Sequence, residues 1–193
     1  MRIIAGTLRG KIINAPEGSG TRPTIDRVRE SLFSSLYSLL GSWDDVAVLD
    51  AFAGSGALGL EALSRGAKKA VFFEQDKAAA AVVQVNIATC RLTPDVAVLR
   101  KADVLESPPV SARPPFDLVF LDPPYALPCE QVAGLVDRLR ETGALSQNCL
   151  VCYEHASAQV PDAFTAALGP AFSLLASKRY GKVAVDIYER IAV

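Results

Sequence analysis

The chain has 193 residues, a formal net charge of −1 and a hydrophobic fraction of 50%. This length suits one domain with a substantial core, and this composition argues against an intrinsically disordered protein. The sequence lacks a run of about 18 apolar residues, so no membrane span is predicted. Because the first residues also lack the apolar region of a signal peptide, we expect a cytoplasmic protein.

Four cysteines and a single histidine give no recognisable metal site. Cys149 and Cys152 have CxxC spacing, but they fall in a predicted strand, where they would point to opposite faces. A second CxxC is absent from the sequence. We therefore predict buried structural thiols and no bound metal.

Charge is unevenly distributed along the chain. The first 29 residues carry six basic and two acidic side chains, whereas the remainder carries fourteen basic and nineteen acidic ones. A basic segment on an acidic body suits an anionic partner bound on one side. An ordinary solvated surface explains the charge pattern equally well.

Hydrophobic patterning predicts an α/β protein. A short hairpin is predicted over residues 2–15, and an amphipathic helix from about Thr24, its N-cap, to Leu40. Seven strands are predicted: 46–50, 69–74, 96–103, 116–122, 148–154, 172–180 and 182–190. Helices are predicted between them: 57–66, 77–90, 130–141 and 161–168. This alternation predicts a doubly wound, mostly parallel sheet that ends in an antiparallel pair.

Two arginines of the first predicted helix differ in position. The predicted apolar stripe consists of Ile25, Val28, Leu32, Leu36 and Leu39. Arg27 points away from it, whereas Arg29 falls on its edge. A charge at that edge either pairs with a buried acid or lines a site.

The first two strands of the predicted sheet end in a pattern typical of nucleotide binding. Asp50 precedes Gly54, Gly56 and Gly59, which match GxGxxG before a helix, and Glu74 ends the second strand. Ligands of doubly wound sheets bind at such carboxyl ends. The pattern alone permits NAD. Asp50 favours S-adenosylmethionine, because a carboxylate attracts its ammonium group but would repel a pyrophosphate.

The fourth predicted strand ends in LDPPY, residues 121–125. Two prolines stop a strand and stiffen the turn. The Asp122 carboxylate and the Pro123 carbonyl would offer fixed acceptors to an exocyclic amine of a nucleobase, and Tyr125 would stack on its ring. This arrangement favours direct methyl transfer to an unpaired or flipped base. A simple tight turn is the alternative interpretation.

Together these motifs resemble the class I S-adenosylmethionine-dependent methyltransferases with a [D/N]PP[Y/F] motif. More specifically, the chain resembles the bacterial family that methylates a guanine N2 in small-subunit ribosomal RNA. Five segments carry the resemblance, in the family's order: MRIIAGTLRGKII, TRPTIDRVRESLF, LDAFAGSGALGLEALSRGA, FFEQD and LDPPY. They span nearly the whole chain.

The resemblance implies a Rossmann-like fold: a doubly wound seven-stranded sheet, mostly parallel, with an antiparallel C-terminal strand and a small N-terminal β-hairpin. It implies a hairpin extension over residues 1–20 and a methyltransferase domain over residues 21–193. The implied substrate is the guanine conventionally numbered 966 in 16S rRNA, within the small ribosomal subunit. We expect a monomer.

The resemblance also implies roles for individual residues. By similarity, the cofactor-binding residues are Asp50, Phe52, Gly54, Gly56, Glu74, Gln75, Asp103 and Val104. Those holding the target base are Asp122, Pro123, Pro124 and Tyr125. The expected RNA contacts are Arg9, Lys11, Arg22, Thr24, Arg27 and Arg29.

Three other functions compete with this interpretation. DNA adenine-N6 methyltransferases also use DPPY, but 193 residues leave little room for the target-recognition segment that they usually need. An NAD-dependent oxidoreductase is compatible with the glycine pattern, but not with LDPPY as a hydride-transfer site. A non-catalytic RNA-binding protein would bind without turnover, and it would not need LDPPY.

Overall fold

The computed structural model describes residues 1–16, 23–158 and 161–191. These form two compact units, Met1–Ala102 (unit 1) and Asp103–Val193 (unit 2). The predicted boundary between residues 20 and 21 lies outside the described residues and stays a prediction.

Unit 1 contains three helices and three short parallel strands. Its helices are α1 (Pro23–Leu40), α2 (Ala57–Arg65) and α3 (Lys77–Thr89), and its strands are β1 (Ala47–Asp50), β2 (Lys69–Phe73) and β3 (Ala97–Arg100). The parallel ladder runs β3-β2-β1. All four residues of β1 are buried, as expected of a central parallel strand.

Helix α1 differs from its prediction in two details. It begins at Pro23, which suits the first turn because proline lacks the N–H that would be unpaired there. Leu39 is exposed, and Phe33 is buried in a stack with Trp43 at 5.5 Å between ring centroids. The remaining described members of the predicted stripe, Val28, Leu32 and Leu36, are buried.

Unit 2 contains the remaining strands, two α-helices and a short 3-10 helix (Gly169–Ala171). Its strands are β4 (Phe116–Leu121), β5 (Leu145–Ala156), β6 (Phe172–Tyr180) and β7 (Val183–Arg190), and its helices are α4 (Cys129–Glu141) and α5 (Pro161–Leu168). Strand β5 is longer than predicted, because exposed Gln147 and Asn148 interrupt the apolar pattern near its start.

Strand directions in unit 2 confirm the predicted topology. β4 and β5 are parallel, whereas β7 is antiparallel to both β5 and β6. The seven-stranded sheet has the order β3-β2-β1-β4-β5-β7-β6. The predicted mostly parallel, doubly wound sheet with an antiparallel C-terminal strand is therefore confirmed.

The predicted N-terminal hairpin is present in a minimal form. A single antiparallel bridge joins Arg2 and Ile12, and Ile3 donates its backbone N–H to the Lys11 carbonyl at 3.0 Å. Ile3 and Ile13 are buried, whereas Ile12 is 74% exposed. The hairpin thus turns one apolar edge toward the rest of unit 1.

Candidate active site

The glycines after β1 have different structural tasks. Gly54 has φ +56° and Gly56 has φ +77°, a left-handed region that favours glycine. A side chain at Gly54 would meet nothing within 4 Å, so this part of the backbone is open to a ligand. A Cβ at Gly59 would instead clash with the Phe72 ring, so this glycine permits close packing of α2 on β2.

Two carboxylates hold this glycine turn from the ends of β1 and β2. Asp50 is buried and accepts the Gly59 N–H at 3.0 Å, in the first turn of α2. Glu74 accepts the N–H groups of Gly54 and Asp76, both at 2.8 Å. Each oxygen of Glu74 keeps a further lone pair, and the side chain is half-buried, so it can also accept hydrogen bonds from ribose hydroxyls.

The other predicted cofactor residues of unit 1 lie nearby in the chain. Phe52 is half-buried and follows the end of β1, while Gln75 is exposed and follows the end of β2. The adjoining backbones are joined, because Ala53 donates its N–H to the Phe73 carbonyl at 2.9 Å. Unit 1 therefore brings six predicted cofactor residues to one end of two neighbouring parallel strands: Asp50, Phe52, Gly54, Gly56, Glu74 and Gln75.

The remaining predicted cofactor residues, Asp103 and Val104, belong to unit 2. The Asp103 carboxylate accepts the Leu105 N–H at 2.8 Å, and its carbonyl accepts the Ser107 N–H at 2.9 Å. Val104 is buried. Asp103 thus stabilises a turn through one carboxylate oxygen and keeps the other for further contacts.

The LDPPY segment leaves β4 with its polar groups accessible. Pro123 is buried, whereas Asp122 and Tyr125 are exposed. The Leu127 N–H donates to the Pro124 carbonyl at 2.8 Å and closes the following turn. An aromatic side chain that is 53% exposed is available for stacking on a base.

Asp122 has an acidic neighbour that sequence reasoning missed. In the parallel β4–β5 ladder Leu121 is opposite Tyr153, so the next residues along, Asp122 and Glu154, are also neighbours. Asp122 is accessible to solvent, yet protein atoms surround it, and this partial desolvation raises its pKa to about 6. Burial and the Asp122 charge raise the pKa of Glu154 to about 8. The available signal was an acid at the end of the fifth strand.

The predicted RNA-contacting residues fall into different environments. Arg9 and Arg27 are exposed, whereas the half-buried Lys11 donates its Nζ to the Thr89 carbonyl at 3.0 Å. Arg29 is 4% exposed and donates to the Arg2 carbonyl at 2.6 Å and to Asp26 at 3.0 Å. Its guanidinium therefore holds the N-terminal segment instead of facing solvent. Arg22 and the side chain of Thr24 lie outside the described residues.

Two buried polar residues, also missed from the sequence, fasten the hairpin to unit 1. Glu61 accepts the N–H groups of Ile4 at 2.8 Å and Ala5 at 3.0 Å. Asn86 accepts the Asn14 N–H at 2.8 Å and donates to the carbonyls of Asn14 and Ser55. Because Ser55 belongs to the glycine turn, one amide joins that turn to the residue following the hairpin. The sequence signal was a polar residue on an otherwise apolar helix face.

The described part of the chain lacks both a metal-binding cluster and a membrane-spanning helix. There, no group of three or more His, Cys, Asp or Glu side chains is arranged to hold a metal ion. None of the described helices is long and apolar enough to cross a bilayer. Cys149 and Cys152 are buried free thiols, as predicted.

Comparison with proteins of known sequence identifies a family. Residues 1–189 match the family model described as Conserved hypothetical protein 95. The chain is 36% identical to the ribosomal RNA small subunit methyltransferase D of Escherichia coli, over 100% of this chain and 91% of that protein. It is 40% identical to the protein of the same name from Haemophilus influenzae, over 80% of this chain and 78% of that protein.

Solved structures agree with this assignment. A putative methyltransferase from Escherichia coli has a TM-score of 0.82 at 36% identity, with 100% of this chain and 99% of that chain covered. A putative methylase from Haemophilus influenzae has a TM-score of 0.76 at 32% identity, with 99% and 98% covered. The chain therefore belongs to the Conserved hypothetical protein 95 family, and its predicted kinship with the bacterial small-subunit rRNA methyltransferases is confirmed.

Proposed function

We propose that this protein transfers a methyl group from S-adenosylmethionine to the exocyclic N2 amine of a guanine in 16S rRNA. The proposed target is the guanine conventionally numbered 966, in the small ribosomal subunit. Relatives named ribosomal RNA small subunit methyltransferase D support the reaction class. The single observation that carries the proposal is the accessible Asp122 beside the exposed Tyr125, at the end of β4.

The residues of unit 1 fit parts of S-adenosylmethionine. The open backbone at Gly54 leaves room for the amino-acid end, and the half-buried Glu74 offers acceptor lone pairs to the ribose. When bound, the cofactor supplies an electrophilic methyl group. Asp50 contributes by holding the turn through Gly59. Phe52, Gly56 and Gln75 complete this proposed set, and in unit 2 Asp103 and Val104 are proposed contacts for the adenine.

The residues of LDPPY are suited to a poorly nucleophilic amine. The lone pair of the guanine N2 amine is delocalised into the ring, so the amine needs orientation more than it needs a strong base. Asp122 and the Pro123 carbonyl accept its two N–H groups, and Tyr125 stacks on the base. Pro123 and Pro124 keep these acceptors in place before the base arrives.

Radiolabel transfer tests the function directly. Tritiated S-adenosylmethionine is incubated with small subunits from cells that lack the modification, and in parallel with naked 16S rRNA and duplex DNA. We expect label in N2-methylguanine, and a loss of about a hundredfold to a thousandfold in rate for Asp122→Ala. Glu141→Ala, an exposed acid on α4, is the matched control. Label found only in DNA adenine would replace the proposal with adenine-N6 methylation.

The N-terminal segment is proposed to contact rRNA phosphates. Its exposed Arg9, together with Arg27 on α1, presents positive charge, and Lys11, Arg22 and Thr24 are further proposed contacts. Arg29 is not among these contacts, because it is buried and positions the segment by donating to the Arg2 carbonyl. We also propose a division into a hairpin extension over residues 1–20, which contacts the RNA, and a methyltransferase domain over residues 21–193.

Salt-dependent binding tests this contact. Arg9→Glu should weaken binding of the small subunit and reduce the slope of log K against log salt by about one, because one phosphate contact is lost. Affinity is measured by filter binding between about 50 and 200 mM salt. Glu30→Gln, an exposed acid on α1, should leave the slope unchanged. A slope unaltered by Arg9→Glu would refute the contact.

A further inference from the structure

Glu154 and Asp122 occupy the same face of the β4–β5 ladder. Because Leu121 pairs with Tyr153 and both strands run in the same direction, Asp122 and Glu154 are adjacent at a strand spacing of about 4.8 Å. Tyr153 and His155 stack on each other at 5.1 Å, so they share the opposite face of β5. The His155–Asp186 hydrogen bond therefore does not involve Glu154.

Among the described residues of unit 2, no cation forms an ion pair with either carboxyl of this pair. None of the described side chains forms a hydrogen bond or ion pair with Asp122 or Glu154. In the register, the position next to Glu154 on β7 is Val185, followed by Lys178 on β6, two strands and about 10 Å away. The other titratable group facing the pair is Tyr125, whose pKa is raised by burial and by both carboxyls.

A nucleobase edge supplies the donors that this pair lacks. Guanine presents its N2 amine and its N1–H side by side, so two neighbouring carboxyls on one face can each accept a hydrogen bond. Adenine presents an amine beside the N1 lone pair, which repels an ionised carboxylate and accepts a hydrogen bond only from a protonated one. An acceptor next to Asp122 therefore distinguishes guanine from adenine by the group adjacent to the amine.

We propose that Glu154 contacts the target base, accepting the guanine N1–H while Asp122 accepts the N2 amine, and that Glu154 thereby selects guanine over other amino-purines. The inference rests on the proposed function, since it needs a guanine bound at LDPPY. It goes beyond that function by assigning specificity to a residue outside the DPPY motif.

The protonation of the pair is consistent with this role. In the free protein, burial and the negative Asp122 raise the pKa of Glu154 to about 8, so Glu154 holds a proton at neutral pH. An N–H donor from the base stabilises the ionised carboxylate and takes the place of that proton, which leaves to solvent. A carboxyl with a purely structural role would instead accept hydrogen bonds from donors of the protein and would not need to hold this proton.

An analogue at the target position tests the inference. The substrate is the small subunit, reconstituted from 16S rRNA ligated to carry either guanine or 2-aminopurine at that position. 2-Aminopurine keeps the N2 amine but has a lone pair at N1 and no O6. At about pH 8.5, above the pKa of Glu154, we expect wild-type kcat/KM to favour guanine by about tenfold to a hundredfold, the effect of one hydrogen bond to a charged group. At lower pH the protonated Glu154 also donates to the N1 of 2-aminopurine, so the preference should shrink. In Glu154→Ala this preference should fall below about threefold.

Controls separate this inference from folding and from the proposed function. Glu154→Gln keeps the side-chain shape, and its amide also donates to the N1 of 2-aminopurine, so it too should lose the preference. Asp137→Ala on α4 should keep it. Binding of S-adenosylmethionine, measured by calorimetry, should be the same in all variants. If the preference for guanine were unchanged in Glu154→Ala and Glu154→Gln, the proposed role of Glu154 would be refuted, whereas the proposed function would stand. Wild-type protein that leaves guanine unmethylated would overturn the proposed function as well.

Discussion

Two groups of carboxylates, one in each unit, have opposite environments. In unit 1, Glu61, Glu74 and Asp50 each accept backbone N–H groups, and Glu61 also accepts the Nε of Arg65 at 2.8 Å. In unit 2, Asp122 and Glu154 lie together without a donor from the described residues, and their pKa values are raised. A carboxylate with its donors supplied holds the chain, whereas one without donors is prepared for the N–H groups of a ligand.

The largest expected effect tests the holding role in unit 1. Glu61 is fully buried, and Glu61→Ala would leave the N–H groups of Ile4 and Ala5 and the charge of Arg65 without their acceptor. We expect the free energy of unfolding to fall by about 3–5 kcal/mol, since one partner of a buried pair is removed. Urea denaturation measures the change.

A control variant shows whether the loss of stability is specific to the buried carboxylate. Glu30→Gln removes an exposed carboxylate from α1, and its effect should stay within about 0.5 kcal/mol. If Glu61→Ala were as stable as Glu30→Gln, Glu61 would not be holding the hairpin, and the contrast between the two units would weaken.

Several of these carboxylates could be predicted from the sequence, because the end of a strand is visible in the local pattern of apolar and polar residues. Alternating periods located the strands, and Asp50, Glu74 and Asp122 follow from where three of them end. Arg29 was expected to pair with a buried acid or to line a site, because it falls on the edge of an apolar stripe. In the structure it is buried, but its acidic partner Asp26 is partly exposed and its other acceptor is the Arg2 carbonyl. These inferences need only the period of each element and the rule that ligands bind at carboxyl ends.

The partners of the buried polar groups were not accessible in the same way. Glu61 bonds to residues 56 and 57 positions away, and Asn86 to one 72 positions away. No local period encodes such a pairing. Glu154 became visible only with the β4–β5 register, which sets it beside Asp122. Register depends on the packing of both strands, and the sequence of either strand alone does not specify it.

The second prediction concerns stability against pH and the open carboxyl pair. Burial raises the pKa values of Asp122 and Glu154, so between about pH 4 and 8 the folded protein binds more protons than the unfolded chain. The contribution of the pair to stability therefore falls as pH rises through this window. Glu154→Gln removes one titrating group, and we expect it to raise the free energy of unfolding at pH 8 by roughly 2 kcal/mol, less at pH 5.

This substitution distinguishes a ligand-binding carboxyl from a structural one. The difference is taken between Glu154→Gln and wild type in urea titrations at several pH values, so the titration of His155 cancels. A group kept for function costs stability, and its replacement stabilises the protein while impairing activity. A loss of stability at pH 8 would instead show that Glu154 has protein donors of its own, and would remove the contrast with Glu61.

The third prediction, with the smallest expected effect, tests whether one carboxylate, Glu74, can both hold the backbone and bind the ligand. Glu74 holds Gly54 and Asp76 and, in the proposed function, also accepts the ribose hydroxyls. Glu74→Gln keeps one carbonyl oxygen, so it cannot accept both N–H groups and still serve the ribose. We expect S-adenosylmethionine to bind about tenfold more weakly by calorimetry, the effect of one hydrogen bond to a charged group. Asp45→Asn, whose exposed carboxylate pairs with Lys68, is the control and should bind normally. Unchanged affinity in Glu74→Gln would show that Glu74 only holds the glycine turn. The carboxylates of unit 1 that accept backbone N–H groups would then stabilise the fold, and cofactor binding would depend on the open backbone at Gly54.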